Sequence, residues 1–284
     1  MAKHMTIQDF FKQFPNNEAC LAHLFKMRYG DDFGCPKCGE IGKFRKLASH
    51  PAYTCNCGHH IHPMTGTIFQ DSHVPLTKWF YAVYLFTTTR HGVPAKELER
   101  QLGVSYPTAF RMAQLIRIHM GRTDGDRPLS GHVEADEAYI GGVRPGPRGR
   151  AALGKTIVFG MLERHGDIMT KVVPNTTKET LFAHIEANIE KPSVISTDEN
   201  SSYKGIEKQG YVHHSVNHAA KEYVRGDTHT NGLEGFCAMI KRSIRGTHIH
   251  VSRKHLSKYL GEFEYRYNMR HSPELMFARL VLSF

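Results

Sequence analysis

The sequence predicts a multi-domain α/β protein in which two small N-terminal modules precede a larger domain built on a mixed sheet. Three observations predict this class. Paired cysteines lie in the first quarter of the chain, two helical segments joined by a short turn follow, and strand-like segments alternate with helical ones from Gly131 onward. At 284 residues the chain is long enough for one sizeable core and small accessory modules.

Composition and charge narrow the classes of function. The hydrophobic content of 40% and charged content of 23% are those of an ordinary soluble globular protein. No apolar run approaches the roughly 18 residues of a membrane helix, and no apolar signal segment follows the N-terminus, so we expect no membrane association and a cytoplasmic location. The formal net charge of +10 favours a polyanionic partner.

Residues 1–30 predict two short helices that form a packing platform. Apolar side chains recur at helical spacing through residues 6–28, and Pro15-Asn16-Asn17 interrupts them. Asn17 is the residue that we expect to cap the second helix.

Residues 31–70 predict a zinc ribbon. Cys35 and Cys38 form one thiol pair, and Cys55 and Cys57 form a second pair after sixteen intervening residues. Two thiolate pairs at this separation suit a tetrahedral structural Zn²⁺. Only one residue separates the second pair, where ribbons usually have two. A histidine could therefore replace one thiol as a ligand; the candidates are His59, His60 and His62.

Residues 75–122 predict a helix-turn-helix region. After a first helix beginning near Thr77, a second helix spans Pro94 to Leu102, a turn follows, and a third helix spans Tyr106 to Met120. We expect Arg111 and Gln114 on the exposed side of the last helix, where contacts to DNA are made. A plain helical hairpin is the alternative interpretation.

We expect residues 130–284 to form the large domain. A strand of alternating apolar and polar residues carries Asp136 and ends at a Gly-Gly pair. A basic loop follows, and its arginines, Arg144, Arg148 and Arg150, could track a phosphate backbone. Next come a hairpin, a helix over residues 177–189 and a short buried strand that ends in Asp198. Strand, hairpin, helix and strand follow each other in this order in ribonuclease-H-like cores.

A later helix could bring a third acid to the two aspartates. Apolar residues recur at helical spacing from His229 onward, and Asn231, Glu234 and Lys241 share a flank of that helix. Glu234 could therefore approach Asp136 and Asp198. Carboxylates at one point suit a hard divalent cation such as Mg²⁺.

The motifs, taken in order, resemble those of DDE-type transposases and retroviral-type integrases. More narrowly, the chain resembles bacterial insertion-sequence transposases whose ribonuclease-H-like core follows an N-terminal zinc ribbon. The likeness covers nearly the whole chain from Cys35 to Arg270. The segments that carry it are residues 35–38 (CPKC), 65–69 (TGTIF), 133–142 (VEADEAYIGG), 229–236 (HTNGLEGF), 251–256 (VSRKHL) and 264–270 (EYRYNMR).

The resemblance implies a metal-dependent DNA transposase, acting in a bacterial cytoplasm at the nucleoid. Asp136, Asp198 and Glu234 would hold two Mg²⁺ or Mn²⁺ ions, with Asp136 bridging both, and Lys241 would contact phosphate. Some members of the group have asparagine as the third ligand, so Asn231 is an alternative to Glu234. Water would free a 3′-hydroxyl at the transposon's inverted-repeat end, and that hydroxyl would attack target DNA. Binding the two ends of a transposon together implies at least a homodimer on DNA.

Two other functions remain open from the sequence: a metal-dependent nuclease without strand transfer, and a DNA-binding factor whose core has lost its chemistry. A basic stretch supports DNA binding in each case. Residues 204–259 hold ten Lys/Arg, among them Lys241, Arg242 and Arg245, against four acids.

Overall fold

The computed structural model describes residues 5–125, 127–141, 155–217 and 224–282. The chain divides into two compact units, Met1–His119 with Ser272–Phe284 and Met120–His271. Arg144, Arg148 and Arg150, which the sequence predicts as phosphate contacts, lie outside the described residues. In the described ranges, no helix is both long and apolar enough to cross a membrane.

The first unit begins with two capped helices, α1 (Ile7–Gln13) and α2 (Asn17–Tyr29). Asn16 caps α2, because its side-chain oxygen accepts a hydrogen bond from the Ala19 amide at 2.9 Å. The prediction that Asn17 is this cap is wrong. Asn17 is the first helical residue, and its side-chain oxygen accepts instead from the amide of Thr77.

The cysteine-rich segment forms a three-stranded antiparallel sheet in the order β1-β2-β3. Its short strands are β1 (Phe44–Lys46), β2 (Tyr53–Cys55) and β3 (His60–Ile61). The sheet packs on α2 through aromatic rings, since the ring of Phe25 stacks on that of Tyr53 with centroids 4.1 Å apart.

Three helices follow in the positions that the sequence predicts: α3 (Leu76–Thr88), α4 (Ala95–Leu102) and α5 (Tyr106–Asp124). Gly103 ends α4 in the left-handed conformation, with φ 58°. Arg111 is exposed on α5, as expected, but Gln114 is only 6% exposed. The prediction of an exposed Gln114 is wrong because α5 is covered on most of its circumference, so Met112, Ala113 and Gln114 are all buried.

The second unit is built on a five-stranded mixed sheet in the order β6-β5-β4-β7-β8. Strands β4, β5 and β6 pair antiparallel, whereas β4, β7 and β8 pair parallel. This is the topology of the predicted ribonuclease-H-like core, and the fold-class prediction is confirmed. The strands and crossover helix are β4 (His132–Ile140), β5 (Thr156–Glu163), β6 (Ile168–Val173), α6 (Lys178–Asn188), β7 (Val194–Thr197) and β8 (Val212–Ser215).

Two apolar layers cover the sheet. The odd-numbered residues of β4, such as Val133 and Ala135, pack with α6 on one face. The even-numbered Ala138 and Ile140 pack on the other face with α7 (Asn231–Ser243) and α8 (Arg253–Asn268). Gly160 lets α7 lie close to the sheet, since a Cβ atom there would be 2.7 Å from Leu233 Cδ1.

The last helix, α9 (Met276–Leu282), belongs to the first unit. The ring of Phe277 lies 5.6 Å from that of Phe14 and 6.0 Å from that of Phe80, measured between centroids. The large domain was expected to run to residue 284, but it ends at His271 because the apolar face of α9 is buried against these aromatic rings.

Candidate active site

The sheet brings the two predicted aspartates together. Asp136 lies in the middle of β4, and Asp198 follows the last residue of β7. Because β4 and β7 are parallel neighbours, Asp198 leaves the sheet beside the carboxyl-terminal half of β4. One carboxylate oxygen each from Asp136, Glu137 and Asp198 lie within 4.8 Å of one another.

Glu137 is the third member of this group. Tyr203 donates its hydroxyl to Glu137 Oε1 at 2.7 Å, and the Asn200 side-chain amide lies 3.3 Å from both carboxylate oxygens. The Asn200 backbone amide donates to Asp198 at 2.9 Å, so this residue links the two carboxylates. The run of polar residues directly after Asp198 is the feature of the sequence that indicates hydrogen bonds to these carboxylates.

The negative charges of Asp136, Glu137 and Asp198 repel one another, and a bound cation would offset this repulsion. Burial, followed by the negative charge of Asp198, raises the pKa of Asp136 to about 7. Burial and then the charge of Glu137 raise the pKa of the Tyr203 hydroxyl well above its usual value. Clustered carboxylates whose protonation is favoured in this way fit a hard divalent cation, which would compensate their mutual repulsion.

Helix α7 carries the other predicted residues alongside Asp136. Glu234 is exposed and accepts a hydrogen bond from the Thr230 hydroxyl at 3.1 Å; it is not one of the three clustered carboxylates. Its charge nevertheless contributes to the raised pKa of Asp136. Asn231 is exposed at the first position of α7.

The Cys237 thiol shows that these charges converge. Burial first, and then the charge of Asp136, raise its pKa to about 12, while Lys241 acts to lower it and Glu234 to raise it. The Lys241 side chain is half-buried and, like those of Asp136 and Glu234, acts on the charge of the Cys237 thiol.

A buried glutamate joins β4 to the start of α7. Glu134 is 1% exposed, and its Oε2 accepts a hydrogen bond from the Leu233 amide at 3.0 Å. Its Oε1 lies 3.2 Å from Arg164 Nε and 3.1 Å from His229 Nδ1. Arg164 also donates to the backbone oxygen of His229. Glu134 thus caps α7 from the neighbouring strand and fixes the turn that carries Asn231 and Glu234.

The cysteine site in the first unit contains all four predicted thiols. Cys35 Sγ lies 3.6 Å from Cys57 Sγ, and Cys38 Sγ lies 3.6 Å from Cys55 Sγ, and the four sulfurs are within 4.8 Å of one another. Four thiolates at this separation fit a tetrahedral zinc ion. None of His59, His60 and His62 belongs to this group, within the part of the chain that the structure describes.

Exposed cations follow the acidic site along the chain. Arg242 and Arg245 are exposed, on α7 and on the turn after it. Burial, and then the charges of Lys258 and Lys254, lower the pKa of His255 on α8. Lys254 and Lys258 therefore lie close enough to His255 to act on its charge.

Comparison with known proteins finds two transposase families along the chain. Residues 128–268 match the family model of the ISXO2-like transposase domain, and residues 15–60 match that of the transposase zinc-ribbon domain. An uncharacterized protein in transposable element ISH50 of Halobacterium salinarum is 29% identical, over 92% of this chain and 94% of its own. An uncharacterized transposase-like protein of Haemophilus influenzae is 28% identical, over 36% of this chain and 80% of its own.

Solved structures with similarity include the catalytic core domain of BIV integrase and the Mos1 strand transfer complex. The first is 14% identical with a TM-score of 0.27, over 54% of this chain and 82% of that one. The second is 14% identical with a TM-score of 0.32, over 72% of this chain and 77% of that one. The two matching domain models, over residues 15–60 and 128–268, and the relative from a transposable element show that the chain belongs to the insertion-sequence transposases that combine a transposase zinc ribbon with an ISXO2-like transposase domain.

Proposed function

We propose that this transposase cuts DNA at the ends of its element to free a 3′-hydroxyl and then joins that hydroxyl to target DNA. The observation that carries the proposal is the convergence of Asp136, Glu137 and Asp198 beside the helix that bears Glu234 and Lys241. Both steps are in-line displacements at a phosphodiester, so one set of carboxylates can serve both.

Asp136 and Asp198 would hold divalent cations, Mg²⁺ or Mn²⁺, because their oxygens converge and repel one another. Such ions, when bound, lower the pKa of the attacking hydroxyl and offset charge on the leaving oxygen. Asn200 and Tyr203 orient the carboxylates around the same point.

The third ligand is proposed to be Glu234. It extends from the first turn of α7, and its charge acts on Asp136. Asn231 lies three residues earlier, at the first position of α7, and is the alternative. Glu137 already takes part in the cluster and shares Asn200 with Asp198, so we assign it the role of orienting the loop after β7. Lys241 would contact a phosphate of the bound strand.

DNA is proposed to bind through exposed cations. Arg242 and Arg245 continue the surface of α7 beyond the acids, and Arg111 is exposed on α5. Arg144, Arg148 and Arg150 are proposed as further phosphate contacts. Two transposon ends have to be joined in one event, so we propose that the protein acts as a homodimer or a larger assembly on DNA.

The test is a joining assay with a pre-cleaved duplex carrying the terminal sequence of the element and a supercoiled plasmid target. Wild-type protein with Mg²⁺ should yield joined products, whereas Asp198→Asn should bind the duplex equally well and join none. Glu234→Gln should abolish joining if Glu234 is the third ligand, and Asn231→Ala should do so if Asn231 is. Glu137→Gln should slow joining without abolishing it.

Two results would contradict the proposal. Cleavage of intact ends without any joining by the wild-type protein would indicate a nuclease. Binding without either reaction, in Mg²⁺ and in Mn²⁺, would indicate a DNA-binding factor.

A further inference from the structure

The connection between α7 and α8 ends in an exposed apolar tip. After α7 the chain makes one wider, π-helical turn over Ile244–His248, and α8 begins at Arg253. Ile249 forms the apex and is 76% exposed, the highest value for a large hydrophobic side chain in the part of the chain that the structure describes. A single exposed isoleucine is ordinary by itself, so its backbone and its surroundings decide its meaning.

The backbone at Ile249 is strained. Its φ is 62° and its ψ is −52°, and the His250 amide donates to the His248 carbonyl at 2.7 Å. These features define the rare γ-turn of positive φ. A β-branched residue at positive φ is an outlier, and such strain persists only where the surrounding structure holds it.

Contacts on both sides hold the tip in this conformation. The ring of His248 packs against the buried ring of Tyr259 on α8, with centroids 4.8 Å apart. On the other side, Val251 packs against the apolar layer between the sheet and α7. Ile249 lies between these two anchored residues and is directed away from the protein.

The charge around the tip indicates the kind of partner. Residues 235–261 contain no Asp or Glu and six Lys/Arg: Lys241, Arg242, Arg245, Arg253, Lys254 and Lys258. Arg245, Arg253 and Lys254, which lie nearest the tip in the sequence, are all exposed. Such a surface binds a phosphate backbone, and isoleucine is one of the side chains that wedge between base steps when cations hold a duplex.

We propose that Ile249 is an apolar wedge that enters the base stack of duplex DNA held by these cations. The strained turn presents the side chain in advance, so little ordering of the tip is needed on binding. Unstacking one base step would bend the duplex that these cations hold. The inference rests on the proposed function only in taking duplex DNA as the substrate.

The test uses a short duplex with 2-aminopurine in a single central TA step, because pyrimidine–purine steps unstack most easily. It is run without Mg²⁺ or Mn²⁺, so that no chemistry is required. Ile249→Gly removes the wedge and tolerates positive φ, Ile249→Leu keeps an apolar side chain, and Val212→Ala shortens a different exposed apolar residue of the same unit.

Wild type, Ile249→Leu and Val212→Ala should raise the 2-aminopurine fluorescence, and Ile249→Gly should not. Ile249→Gly should also bind the intact duplex with roughly tenfold lower affinity, the contribution of one buried aliphatic side chain. An abasic site at the step should restore most of that affinity, because the DNA is already unstacked there. The melting temperature of Ile249→Gly should be no lower than that of the wild type, since strain is relieved.

Equal fluorescence from wild type and Ile249→Gly would overturn the wedge, as would an affinity loss that the abasic site does not restore. Binding without any unstacking by wild type would also overturn it and leave the proposed chemistry intact. If the wild-type protein unstacks the base step but joins no DNA, the wedge role of Ile249 is supported and the proposed function is refuted.

Discussion

Removing the Glu134 carboxylate should destabilise the second unit and displace the start of α7. Glu134 is 1% exposed and pairs with Arg164, whose side chain is 16% exposed, while it also accepts from the Leu233 amide. Breaking a buried ion pair by deleting one partner costs about 3–5 kcal/mol. Since Arg164 retains some access to water, we expect Glu134→Ala to cost about 3 kcal/mol in the free energy of unfolding.

Glu134→Gln should cost less, because the amide keeps the volume and one acceptor oxygen for Leu233. A hydrogen bond to a charged group contributes about 1.5–3 kcal/mol and a neutral one about 0.5–1.5, so the expected loss is roughly 1–2 kcal/mol. Urea unfolding followed by circular dichroism measures both variants. With a slope near 2 kcal/mol/M, the midpoint of Glu134→Ala should fall by roughly 1.5 M.

The functional effect should be on the rate and not on DNA affinity. Glu134 contacts the turn that carries Asn231 and Glu234 and lies beneath it, so Glu134→Gln should lower the joining rate while the dissociation constant for an end duplex stays within about twofold. Hydrogen exchange should show faster exchange in the first turn of α7. An unfolding free energy of Glu134→Ala within about 1 kcal/mol of the wild type would refute the reasoning, because a buried cation would then have lost its partner at no cost.

Three other predictions concern the sites. Gly232→Ala should lower the melting temperature, because its Cβ would lie 2.7 Å from Leu162 Cδ2. Gly235→Ala should raise the melting temperature, because its Cβ meets no atom within 4 Å and alanine favours a helix. Equal shifts in the two variants would contradict this. The folded-state pKa of Asp136, about 7, lies above that of an unfolded aspartate, about 4. Without added Mg²⁺ or Mn²⁺, the wild type should therefore lose stability relative to Asp136→Asn as the pH rises from about 4 to 7, and parallel melting curves would contradict this. Elemental analysis should find zinc in the purified protein, lost in Cys57→Ser and kept in His59→Ala; retention in the cysteine variant would exclude a four-thiol site.

Local pattern was sufficient for most of the helices and strands and for the clustering of the four cysteines. The spacing of the four cysteines predicts the thiol cluster, because a short turn brings the two thiols of each pair together and the pairing of β1 with β2 lies between the two pairs. Alternation around Asp136 predicts β4, and helical periodicity after His229 predicts α7 with Glu234 and Lys241 on one flank. These are short-range properties, since side-chain periodicity depends only on backbone geometry.

Other features depend on which residues meet across the fold. Asn16 and Asn17 are equivalent caps in sequence, and the contact of Asn17 with Thr77 decides between them. Gln114 is polar and lies on a helix, yet the packing around α5 buries it. Strand β8 is short and polar, and pairing with β7 defines it.

The sequence by itself determined that acids on β4, after β7 and on α7 could form a metal site. The tertiary structure decided which groups each carboxylate contacts. Glu134, Asp136 and Glu137 are neighbours on one strand, but the sheet directs the first to the end of α7, places the second in the cluster, and brings the third against Tyr203 and Asn200. A carboxylate's function follows from the charges and donors around it, and those come from residues far away in the sequence.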